Sequence, residues 1–161
     1  MAVSYKGLVI KFGGDTTELQ GALKKVSSES KKTQADLKEI DKSLKFNPGN
    51  TDLLQQKVKA LNSAYGETQQ KLDAYKQALA QLEAKQQSGA RLTAEEERQY
   101  DSLKRAILQC ENQLESYGKE LAETSREAEA SKTKLYKFGQ TIEDNADKLE
   151  KATLDTIAQG K

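Results

Sequence analysis

The stretch "LKEIDKSLKFNPGNTDLLQQKVKAL", residues 37–61, decides the fold. Leu37, Ile40 and Leu44 recur at intervals of three and four before "NPGN". Leu54, Val58 and Leu61 resume the same rhythm after it. That rhythm lays one apolar seam along each of two helices. Pro48 and Gly49 break the backbone between them, and Asn50 or Thr51 is placed to cap the second. A break this short folds the two helices antiparallel.

Working outward, the first seam reaches back through Leu19, Leu23 and Val26, with polar Ser30 and Thr33 in its middle. The second continues through Tyr65, Thr68, Leu72, Tyr75, Leu79 and Leu82. "KQQSGARLTAEE" stops it at Ser88 and Gly89, and Thr93 with Glu96 forms a capping box for a third helix. The third seam carries Tyr100, Leu103, Ile107, Cys110, Leu114, Tyr117 and Leu121, then Leu135 and Phe138. The expected helices are about 16–46, 51–87 and 94–138. Gly139 interrupts the last seam, so 139–161 reads as a frayed helix or a linker to a region further downstream.

Folded about the two turns, the seams meet layer by layer. Leu44 faces Leu54, Leu23 faces Tyr75, and Leu79 faces Leu103. The polar layers coincide, with Ser30 opposite Thr68 and Thr33 opposite Tyr65. The expected fold class is all-α, an elongated antiparallel three-helix coiled coil or bundle with a short N-terminal β-strand. The third helix outruns its neighbours from about Ser131, which leaves Leu135 and Phe138 without a partner from this chain.

The strand is read from "YKGLVIKFGGDTTE". Residues 5–12 alternate, with Leu8, Ile10 and Phe12 on one face. Gly13 and Gly14 end it, and Asp15 with Glu18 fits a helix cap. The chain thus divides into a strand and glycine turn (1–14), a helical domain (15–138) and the tail (139–161). A lone strand leaves its backbone groups unpaired. Either it lies on the helices as an extended tail, or it pairs with another copy or with a further part of a longer chain, and a second copy is the favoured partner. Leu8, Ile10, Phe12, Leu135 and Phe138 are then the expected self-association contacts.

Composition agrees with thin helical bundles. The 161 residues are 35% hydrophobic and 32% charged, with mean hydropathy −0.84. That is too polar for a thick core, and sustained heptads separate it from disorder. The net charge of +1 argues against a specific nucleic-acid binder. It is unevenly spread: residues 1–80 carry 13 lysines and 9 acids, residues 81–161 carry 13 basic residues and 16 acids. Solvated helix faces account for that split, and head-to-tail attraction between copies is the functional alternative.

Catalytic and cofactor signatures do not appear. The chain contains no His, the commonest general base and metal ligand. Cys110 lies on a seam, where a thiol behaves as a small hydrophobe. "GG" at 13–14 lacks the spacing of a phosphate-binding loop. "EEE" at 95–97 suits the first turn of a helix better than a metal. No apolar run approaches a membrane span. No catalytic, cofactor or metal residue is assigned, and no membrane contact is expected for this segment.

Three pieces carry a family resemblance: "FGGDT" at 12–16, "LKFNPGNTDLLQQK" at 44–57 and "GETQQKLD" at 66–73. Residues 7–82 resemble the N-terminal region of tape measure proteins from long-tailed bacteriophages and prophages of Gram-positive hosts, and the third helix is similar in type only. The resemblance implies a structural virion protein that is not an enzyme and acts in tail assembly and tail-length determination. It implies oligomers, contacts with tube, baseplate and assembly-chaperone proteins, and assembly in the bacterial host cytoplasm into the virion tail. The measuring segment would lie downstream. Without the resemblance, a cytosolic coiled-coil adaptor or chaperone that grips a partner helix is the alternative. A membrane-active helical toxin fits less well, because the seams are narrow.

Overall fold

The structure is a computed structural model that describes the backbone of residues 3–5, 8–10 and 17–160 and the side chains from residue 20 to 160. Helix α1 spans Thr17–Phe46, α2 Thr51–Gln87 and α3 Ala94–Gln159. These three helices make the fold all-α.

Local chemistry explains the helix ends. The Asn50 side chain accepts a 2.9 Å hydrogen bond from the backbone N–H of Leu53, which caps α2. Ser88 closes α2, and Gly89 follows with φ +85°, the left-handed geometry that glycine supplies at a helix end. Both arms of the Thr93–Glu96 capping box are formed at the start of α3. The cap expected from Asp15 and Glu18, and the turn at Gly13 and Gly14, lie outside the described residues and side chains.

Helix α2 is the centre of the molecule. It packs against α1 on one side and α3 on the other, while among the described residues no Cα atom of α1 comes within 8 Å of one of α3. The main core joins Leu23 of α1 to Leu72, Tyr75, Ala78 and Leu82 of α2 and to Leu103 and Cys110 of α3. Leu54 and Leu61 extend it toward the "NPGN" turn.

Three expectations need correction. The single strand over residues 5–12 is not found. Two three-residue strands, β1 (Val3–Tyr5) and β2 (Leu8–Ile10), pair antiparallel instead, with Ser4 opposite Val9. Each strand is thus paired within the chain along the edge the two share. β1 touches α1, and β2 touches α3. Phe12 lies outside the described residues.

Second, α3 does not stop at Phe138. It passes Gly139 without a break and continues to Gln159. One glycine costs a helix only about 1 kcal/mol relative to alanine, which is small against a helix of 66 residues.

Third, Tyr65 is 40% exposed rather than set in the seam. Helix α2 serves two neighbours and needs two buried strips. Ala64, Lys71, Ala74 and Ala78 form the second, at helical spacing on one face.

Candidate interaction surface

Two features remain after the core is counted, a cleft and an overhang. The cleft lies between α1 and α3 near the "NPGN" turn. Leu37, Leu44 and Leu54 give it an apolar floor, and Lys38, Lys42 and Glu127 stand among its polar residues. Its volume is about 710 Å³. Lys57 belongs to α2 and bridges the two outer helices there. Its ammonium lies 2.9 Å from Asp41 on α1 and 2.8 Å from Glu120 on α3. Burial opposes the charge on Lys57, but the hydrogen bonds to Glu120 and Asp41 outweigh it and raise the pKa above the ordinary lysine value.

A polar layer joins α1 to α2 further along. Lys71 is 4% exposed, and its Nζ donates a 2.9 Å hydrogen bond to the Ser30 hydroxyl. Thr33 Oγ1 lies 2.6 Å from Glu67 Oε1 and 3.1 Å from its own helix's Glu29 carbonyl. The polar positions of the two seams do meet, but Ser30 and Thr33 find Lys71 and Glu67 where Thr68 and Tyr65 were expected. Thr68 is buried and bonds back to the Ala64 carbonyl at 2.8 Å. Charged partners across such a layer fix register more than they add stability.

The overhang is the end of α3. Ala128 is its last buried residue, and every position from 132 to 160 is exposed. Leu135, Phe138, Ile142 and Leu149 continue the heptad phase of the bundle along one stripe. Leu135 is 64% exposed and Phe138 63%. At ~1.5 Å per residue the projecting helix is roughly 40 Å long.

The predicted seam residues divide by burial. Leu23, Val26, Leu54, Leu61, Leu72, Tyr75, Leu103 and Cys110 are buried. Leu37, Ile40, Leu44, Val58, Leu79, Tyr100, Ile107, Leu114, Tyr117 and Leu121 are half-buried. The side chains of Leu8, Ile10 and Leu19 lie outside those described. The sequence reading missed Lys57, Asp41, Glu120, Lys71 and Glu67. Their signal was available: lysines and acids flanking the seams are the positions from which charges reach a neighbouring helix.

Among the described residues, no group of three or more His, Cys, Asp and Glu side chains is placed to hold a metal ion. No helix among them is long and apolar enough to cross a membrane. No family model, curated protein or solved structure matches the chain.

Proposed function

We propose that this chain is a structural component of a bacteriophage tail, the N-terminal coiled-coil part of a tape measure protein. Its role in this reading is to anchor and order copies during tail assembly in the host cytoplasm, and it performs no catalysis. One observation carries the proposal: α3 leaves the bundle as an unbroken helix and keeps its heptad phase to Leu149. A helix that persists beyond its own core suits a chain whose length is read out along a helical axis. The wording of "LKFNPGNTDLLQQK" supports it, because a helical hairpin alone does not require those residues. The three helices act as an elongated three-helix unit. The exposed stripe at Leu135 and Phe138 serves copies of the chain, and other tail proteins supply further contacts.

The open cleft between α1 and α3 favours a second reading, an adaptor that receives a partner helix. Tail length separates the two. In-frame deletions of helical sequence downstream in the parent gene are expected to shorten tails by ~1.5 Å per residue in electron micrographs. Tails of unchanged length would overturn the tape measure role.

A further inference from the structure

The cleft and the overhang match one another in geometry, chemistry and charge. In a square four-helix bundle, neighbouring axes lie ~8–10 Å apart and the diagonal pair about 11–14 Å apart. The outer helices fit a diagonal pair, since no Cα atoms of α1 and α3 come within 8 Å of each other among the described residues, while Lys57 reaches acids on both. The fourth corner is open, with Leu37, Leu44 and Leu54 at its floor.

The overhang has the dimensions of the missing helix. α1 is 30 residues long, or ~45 Å, against roughly 40 Å for the overhang. Its stripe supplies Leu135, Phe138, Ile142 and Leu149 to such a floor, and these side chains are more than half exposed in their own chain.

We infer that two copies of this chain exchange overhangs, each laying residues 132–159 of α3 antiparallel along the other's α3, in the α1–α3 cleft. The inference rests on the self-association part of the reading above and not on the tail context. With turn meeting turn about a two-fold axis, Lys132, Lys134 and Lys137 come level with Glu123, Glu127 and Glu129 of the second copy. Glu143, Asp144 and Asp147 come level with Lys31 and Lys32 of its α1. The overhang is basic from 132 to 142 and mostly acidic from 143 to 155, so this direction sets opposite charges together. Two overhangs in parallel register would set like on like.

Cross-linking between single-cysteine variants tests the exchange. Lys38→Cys and Thr141→Cys are each made in a Cys110→Ala background, at exposed positions where folding tolerates change. Exchange brings Lys38 of one copy within about a helical turn of Thr141 of the other, while the two Thr141 positions stay roughly 30 Å apart along the axis. Co-refolded and treated with a short bismaleimide, the mixture is expected to give a covalent dimer that neither variant gives alone. The full chain is expected to show twice its 17.8 kDa mass by light scattering. A cross-link in Thr141→Cys alone would overturn the inference in favour of overhangs pairing with each other. A dimeric mass with no mixed cross-link would overturn it in favour of another interface. A monomeric mass would overturn it together with the self-association reading, while tail length would still judge the tape measure role separately.

Discussion

The Lys71 ammonium, buried on the central helix, donates a 2.9 Å hydrogen bond to the Ser30 hydroxyl of α1. Ser30→Ala takes that acceptor away from a buried cation. The expected loss is about 1 kcal/mol, read as a lower urea midpoint at unchanged slope. In a Lys71→Met background Ser30→Ala is expected to cost less, because the hydroxyl no longer meets the ammonium.

Lys57 gives the molecule an alkaline limit. Its pKa is raised in the folded chain above the usual 10.5. A raised pKa means that the ion pairs' contribution is complete below about 10.5 and is lost as pH climbs through the folded value. Thermal midpoints of the unaltered chain are expected to fall above that pH. Lys57→Met is expected to lose this part of the alkaline slope in the same scans.

The start of α3 carries an acid-side counterpart. The Lys85 ammonium, 2.6 Å from Glu96 Oε1, holds that carboxyl below its ordinary value, helped by the backbone N–H of Thr93. A lowered pKa contributes stability above about 4.5 that disappears as pH falls through the folded value. Glu96→Gln is expected to remove that share of the acid sensitivity. Thr93→Ala takes away the cap and is expected to cost about 1 kcal/mol near neutral pH by denaturant titration.

Leucines of the two halves of α3 are expected to behave differently. Leu103 is fully buried, and Leu103→Ala is expected to cost about 2–5 kcal/mol. Leu149 is exposed on the overhang. Leu149→Ala is expected to change bundle stability by less than about 0.5 kcal/mol and to weaken self-association in sedimentation velocity.

Gly139 is a cheap place to stiffen the overhang. A Cβ added there meets nothing within 4 Å. Gly139→Ala is expected to gain about 1 kcal/mol of local helix stability. Slower amide exchange around residues 136–142 would show it, and unchanged exchange there would contradict it.

What the sequence made legible follows from side-chain size. The turns at Pro48–Gly49 and Ser88–Gly89 carry backbone chemistry that few other contexts use, and the large seam leucines announce their faces. The second buried strip of α2 stayed hidden because it is built from alanines and the stem of Lys71. A search for large apolar residues at heptad spacing passes over Ala64, Ala74 and Ala78. Their presence on a helix between two others is the signal to look for: small residues let a neighbouring helix approach closely where large ones would hold it off. The overhang was visible in advance from the mismatch between the first and third helices. Its full length was not, because Gly139 suggested an end, although a single glycine costs a long helix only about 1 kcal/mol. The cleft was not legible, since seam matching paired α2 with each neighbour and set no distance between the outer helices.

The separation of α1 from α3 has a consequence for how the chain folds. Among the described residues, each pair of helices that packs together is adjacent in sequence and closed by a short turn. Contact order is therefore low, and little loop entropy is spent before packing begins. The first hairpin, α1 with α2, is complete as a unit before α3 exists, so it has the parts to form while the chain is still being synthesised. α1 and α3 are coupled through α2, whose Lys57 pairs with an acid on each.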